Sequence, residues 1–381
     1  MIDGTHINLR LFYLRREERI LILCILGLAS FFACKKDVSQ TTVATETHET
    51  DRISAVDLSF YPSIKNEGFN FLDSAGNEIY LPEFLLKKGV NTVRIRLWVK
   101  PISSASSLSE VKAFAEILRA KGLNIWLCLH YSDSWADPGQ QVIPENWRNI
   151  SYAAIKDSLR NYTHRVITQI KPEIVQIGNE VNNGFLHPYG KLDKNPQQFK
   201  ELLGIAISEV RASDPACEIM IHFAGVNSAK WFYNQISTVD FDLIGLSYYP
   251  LWHGLNLSEI ENNLYQLSQD FTQKIIIAEC AYPFTLNWND WTNNVVGLAE
   301  QLILPEYPAT MKGQLDFLAK IRKIILTNPN GLGFCYWGGE MVAFRGDTAS
   351  DGSPWENQAL FDFNDRAVPA WTIFNLDNFV N

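Results

Sequence analysis

The sequence predicts an α/β protein, a single (β/α)₈ TIM barrel. Three observations point to it. Eight short apolar runs recur after residue 51, and helical patterns separate them. About 330 residues carry this alternation, within the span of one such barrel. Two of the runs end in glutamate, and a carboxylate at the C-terminal end of a barrel strand reads as catalytic.

The runs, in order, are ISAVDLSF (53–60), TVRIRLWV (92–99), NIWLCLHY (124–131), IVQIGNEV (174–181), EIMIHFAG (218–225), FDLIGLSYY (241–249), KIIIAECAY (274–282) and GLGFCYWGG (331–339). Each is the length of a strand buried on both faces. Between them lie amphipathic stretches such as 108–122, 153–170 and 197–212, spaced as crossover helices. No shift of composition divides residues 52–381, so they are expected to form one catalytic domain.

Residues 1–34 read as a lipoprotein signal peptide. Arg10, Arg15, Arg16 and Arg19 precede the apolar run 20–33, which is short for a membrane span. Cys34 follows and is the expected site of lipidation, which would tie the chain to a membrane. Phe32 is bulkier than the small residue usual at this cleavage site. Residues 35–51 are polar and Thr-rich, and read as a flexible tether reaching on the order of 20 Å. The expected location is the envelope of a Gram-negative-type bacterium, on the outer membrane.

The net charge of −9 disfavours nucleic acid and anionic lipid as partners. The chain is expected to be a monomer with no required cofactor. Cys128, Cys217, Cys280 and Cys335 lack metal-ligand spacing and are expected to be core thiols.

Alternation along the strands assigns faces. In the second run Val93, Ile95, Leu97 and Val99 are expected to meet the helices, with Thr92, Arg94, Arg96 and Trp98 inside. Gln176, Gly178 and Glu180 share the inner face of the fourth run. Ile275, Ile277 and Glu279 share one face of the seventh, so both glutamates can reach the mouth. Buried charges need partners. Arg94 is expected to pair with Asp57, and Arg96 to stand at the mouth with Glu180 and Glu279. Two carboxyl groups facing one cleft are what glycosidic cleavage needs. Trp98, Trp135, Trp252 and Trp337 are candidate platforms for sugar rings. Asp133 and Asp137 either bind sugar hydroxyls or cap the turn before Pro138.

The strings GVNTVRIRLWV (89–99), LHYSDSWADPGQQ (129–141), VQIGNEVNNG (175–184), DLIGLSYYPLWHG (242–254) and AECAYPF (278–284) occur in the order seen in one family. The chain thereby resembles glycoside hydrolase family 53, the endo-β-1,4-galactanases, which belong to a clan of retaining glycosidases. The resemblance covers roughly residues 52 to 378. It implies β-1,4-galactan as substrate, Glu180 as acid/base and Glu279 as nucleophile. From its place at the mouth, Arg96 is the cation expected to keep Glu279 ionised. The resemblance also implies that Asn179 binds the sugar 2-hydroxyl, that His130 orients the catalytic groups and that Trp337 stacks on sugar. One of Tyr248 and Tyr249 should bond Glu279. Because strict alternation turns Asn179 away from Glu180, the fourth strand should bulge or end there. Cys280 stands where the family usually has Thr. Bacterial relatives often bind calcium after the seventh strand; here Asn287, Asn289 and Asp290 are the oxygen donors available, with Trp288 and Trp291 placed to shape distal subsites. Other enzymes of the same clan, a mannanase or an arabinofuranosidase, are the nearest rivals; the loops 132–141 and 250–254 argue against them. A non-catalytic glycan-binding lipoprotein is a further one.

Overall fold

A computed structural model describes residues 52–375. The signal segment, Cys34 and the tether lie outside the described residues. Eight parallel strands close a barrel: β1 (Ile53–Asp57), β2 (Thr92–Leu97), β3 (Asn124–Leu129), β4 (Ile174–Ile177), β5 (Glu218–Ala224), β6 (Leu243–Ser247), β7 (Lys274–Cys280) and β8 (Gly331–Tyr336). Neighbours in sequence are neighbours in the sheet, and β1 pairs with both β2 and β8. All eight apolar runs hold a strand. Each strand stops short of its run, whose last residues leave the sheet at the C-terminal end of the barrel.

Seven crossover helices surround the barrel: α1 (Leu81–Lys88), α2 (Leu108–Ala120), α3 (Tyr152–Ile170), α4 (Pro196–Ser213), α5 (Ala229–Gln235), α6 (Leu257–Asp270) and α7 (Met311–Thr327). Side chains cap several of them: Ser107, Ser151 and Thr310 accept from the amides of Glu110, Ala154 and Gly313. Gly89 ends α1 at φ +90°, where a Cβ would collide with the Asn375 backbone. After β8 the described chain forms a 3₁₀ turn, Pro369–Phe374, in place of an eighth α-helix. Trp371 and Phe374 bury there, so the turn covers the sheet as a helix would.

Two apolar layers result. Val93, Ile95, Val175, Ile177, Ile275 and Ile277 pack outward against the helices. Ile53, Trp126, Ile174, Met220, Leu243 and Ile276 fill the barrel. Above that plug lies a buried polar layer of Asp57, Arg94, Gln176, His222 and Glu279. The four cysteines of the described region are free and buried. No helix among the described residues is long and apolar enough to cross a membrane.

One face assignment is corrected. Ile275 and Ile277 lie in the outer layer, yet Glu279 points inward. Leu246 of β6 pairs with Ile277, but Ser247 pairs with Glu279, so Ala278 is an extra residue. This bulge inverts the phase, and Ile276, Ala278 and Glu279 all face the interior.

Candidate active site

The β4 end is built by a break in the strand. Gly178 has φ +76°, and a Cβ there would collide with Val181 Cγ1. Glu180 itself sits in the left-handed region at φ +46°. The strand therefore ends before Asn179, as the need to expose two consecutive side chains required. On the facing arc the β7 bulge presents Glu279. One carboxylate oxygen of each glutamate and a nitrogen of His222 lie within 4.8 Å of one another.

Arg94 is the electrostatic hub. Its Nη2 lies 2.7 Å from Glu279 Oε1 and its Nη1 2.8 Å from Asp57 Oδ2. Nη2 also donates to Asn179 Oδ1 (2.8 Å), and Nε to Gln176 Oε1 (3.1 Å). The pairing with Asp57 is as expected, but Arg94 rather than Arg96 holds Glu279. The reason is reach: β1 and β7 both present their carboxylates at the level of Arg94. Arg96 instead lies in an aromatic cage, 4.6 Å from the Phe60 ring centroid, 4.5 Å from Trp98 and 4.1 Å from Trp135. Its Nε donates to Ser106 Oγ, and burial lowers its pKa to about 10.

A second chain of hydrogen bonds ends on Glu180. Gln176 Nε2 donates to His222 Nδ1 (2.9 Å), so His222 carries its proton on Nε2 and donates to Ser247 Oγ (2.9 Å). Ser247 donates to Glu180 Oε1 at 2.5 Å. Burial, and then Arg94, push the His222 pKa well below its usual value, which keeps the ring neutral. Sequence reasoning missed His222 and Ser247, yet alternation held the signal: Met220 and His222 share a face of β5, as Leu243 and Ser247 do of β6.

Tyr249, not Tyr248, bonds the facing glutamate: its hydroxyl donates to Glu279 Oε2 at 2.9 Å. Tyr248 donates to the Gly254 carbonyl, away from the cleft, which removes it from the site. Burial raises the pKa of both glutamates. For Glu180 the Glu279 charge adds to burial and the value reaches about 8. For Glu279 burial is opposed by Arg94 and by the Tyr249 hydroxyl.

The mouth opens into a cleft of about 660 Å³ lined by both glutamates, Asn179, Asp137 and a wall of rings: Phe60, Trp135, Tyr249, Trp252, Trp337 and Trp355. Trp355 stands edge-on to Trp337 at 4.4 Å. Neither Phe60 nor Trp355 was expected; Trp355 lies in an irregular loop after β8, where no periodicity could mark it. Trp98 is corrected to a supporting role, since it packs edge-on behind Trp135 (5.8 Å) and does not line the cleft. Trp288 and Trp291 are exposed and also outside the cleft lining.

His130 touches neither glutamate. Its Nδ1 accepts from the Ala136 amide (3.0 Å), and the Ala136 carbonyl accepts from Asn179 Nδ2 (2.8 Å). It thus acts on Asn179 through the loop. Asp137 both lines the cleft and accepts from the Gly139 amide (2.8 Å). Asp133 is spent on the amides of Lys100 and Glu145.

In the loop after β7, Asp290 is buried, with Oδ1 on the Thr292 amide and Oδ2 without a partner. Glu356, from the loop after β8, accepts from the Asn289 amide through Oε1, while its buried Oε2 is also unpartnered. A hard cation would find these two carboxylates more fitting than the exposed Asn287.

An uncharacterised protein of Niallia circulans is 33% identical over 84% of this chain and 92% of its own. An arabinogalactan endo-beta-1,4-galactanase of Cellvibrio japonicus is 31% identical over 84% of this chain and 90% of its own. The solved catalytic domain of a family 53 enzyme of Ignisphaera aggregans superposes with a TM-score of 0.80, at 36% identity, covering 86% of this chain and 96% of that one. The model of glycosyl hydrolase family 53 matches residues 53–374, and the chain belongs to that family.

Proposed function

We propose that this glycosyl hydrolase is a retaining, endo-acting enzyme that cleaves β-1,4-galactosidic bonds in galactan or arabinogalactan. One observation carries the mechanism: carboxylate oxygens of Glu180 and Glu279 within 4.8 Å. Retaining pairs stand about 5–5.5 Å apart, whereas inverting pairs need about 6.5–9.5 Å to seat a water. The substrate is supported by the Cellvibrio japonicus relative and by an endo-beta-1,4-galactanase of Bacillus subtilis, 28% identical over 85% of each chain.

In the first step Glu279 attacks the anomeric carbon while Glu180 gives its proton to the departing glycosidic oxygen. The C–O bond to the leaving sugar breaks as the glycosyl ester forms. In the second step Glu180 takes a proton from water, the hydroxide attacks the same carbon and the ester bond breaks. Because Ser247 occupies Oε1 of Glu180, the transferable proton sits on Oε2. Arg94 and Tyr249 keep Glu279 ionised and aimed. Asn179, held by Arg94, Gln176 and Ala136, meets the 2-hydroxyl. Trp337 and Trp135 give flat faces for sugar rings.

A product time course on linear β-1,4-galactan and β-1,4-mannan tests the reading. Galactan should yield oligosaccharides whose new reducing ends are β by proton NMR; cleavage of mannan alone, or α products, would overturn it. Glu279→Gln should lower turnover at least about 10⁴-fold while keeping oligosaccharide affinity. We also propose lipidation at Cys34 as the membrane tie; Cys34→Ser should move the protein from the membrane to the soluble fraction.

A further inference from the structure

The loop after β3 carries four cleft residues, Trp135 to Pro138, and then a buried glutamine, Gln141, that lines no part of the cleft. Its side chain is 3% exposed. Nε2 points among three carbonyl oxygens: Asn179 at 2.7 Å, Asp137 at 3.1 Å and Glu180 at 3.3 Å. Three acceptors around one atom fix the amide orientation, because the flipped form would set oxygen against oxygen. Oε1 is buried without a partner. A glutamine that only filled space would be better replaced by an apolar side chain, since an unpaired buried oxygen is costly. What the residue supplies is its donor end.

That donor end meets a left-handed turn of the site's backbone. Glu180 holds a left-handed φ of +46°, which L side chains adopt only when their surroundings over-determine it. Among the described residues, Gln141 is the one donor recorded on the Asn179 carbonyl. The same amide holds the Asp137 carbonyl, so a single side chain joins the Trp135–Asp137 loop to the turn that aims Glu180.

We propose that Gln141 is a positioning residue that fixes the acid/base glutamate through its backbone and ties that aim to the loop bearing Trp135. The proposal rests on the assignment of Glu180 as acid/base. It predicts a loss confined to steps that need a well-placed proton. Such steps dominate for a sugar leaving group and fade for an activated aryl leaving group, which departs without protonation.

The experiment compares Gln141→Leu and Gln141→Glu with the wild-type protein on β-1,4-galactan and on 2,4-dinitrophenyl β-1,4-galactobioside. For Gln141→Leu, kcat on galactan should fall about 10²-fold, the loss expected for a misplacement of about 1 Å. The glycosylation rate on the dinitrophenyl substrate should change less than about threefold, a smaller loss than a positioned acid supplies. Gln141→Glu keeps the volume and regains a donor only when protonated, so its galactan turnover relative to wild type should rise as pH falls. Equal losses on both substrates, no loss on either, or a pH-independent ratio for Gln141→Glu would overturn the clamp. Absence of galactan cleavage by the wild-type protein would instead overturn the substrate assignment.

Discussion

Arg94 carries one positive charge between two buried carboxylates, and that stoichiometry governs the site at the scale of single residues. Removing it strands Asp57 and Glu279 without their cation, so Arg94→Met should cost about 3–5 kcal/mol in urea unfolding. Arg96→Met removes a guanidinium held by three rings and one hydroxyl, so its cost should be smaller, on the order of 2 kcal/mol. A larger loss for Arg96→Met would contradict the hub assigned to Arg94. The glutamates set the pH dependence. In the proposed mechanism Glu180 works protonated, and its raised pKa means that activity should fall as pH rises through about 8. Glu279 works ionised in the same mechanism, and its pKa is raised too, so activity should fall on the acid side at higher pH than an exposed glutamate would dictate. The two titrate as a pair, and the limbs of kcat/KM report the pair. The Ser247 hydroxyl stabilises the Glu180 carboxylate and lowers its pKa. Ser247→Ala should therefore move the alkaline limb to higher pH; a shift to lower pH would count against the His222–Ser247–Glu180 chain.

Departures from regularity at two strand ends determine which side chains face the cleft. At β7 the extra residue Ala278 turns Glu279 inward. At β4 a glycine at positive φ ends the strand, which brings Asn179 and Glu180 to the mouth together. A paired glycine test separates conformation from crowding. Gly122 follows α2 at φ +87° with open space around a would-be Cβ. Gly122→Ala should cost only about 1 kcal/mol in stability and leave turnover unchanged. Gly178→Ala adds a clash with Val181 to the same strain, and should cost more and lower kcat about 10²-fold by displacing Glu180. Comparable effects of the two would show that the Gly178 geometry is unimportant. Among the described residues no eighth α-helix follows β8, for a simpler reason: Pro369 opens a short segment whose Trp371 and Phe374 already cover the sheet.

The barrel closes through β1, which bonds β2 on one side and β8 on the other, and Ser54 Oγ donates to the Phe374 carbonyl at the far end of the chain. A chain beginning at Arg52 should thus melt in one cooperative transition and hydrolyse with unchanged kcat. Removal of eight more residues takes β1 away, leaves two open sheet edges and should abolish the transition. The sequence by itself determined the barrel, its eight strands in order, the family and the two glutamates, because apolar runs, amphipathic helices and strand-end carboxylates are local patterns. It also held His222 and Ser247 in its alternation. Only the tertiary structure decided which arginine meets Glu279, which tyrosine bonds it, that Trp98 stands behind Trp135 and that Trp355 reaches the cleft. Those outcomes depend on register, bulges and loop paths, which bring together groups distant in the chain and have no period of their own.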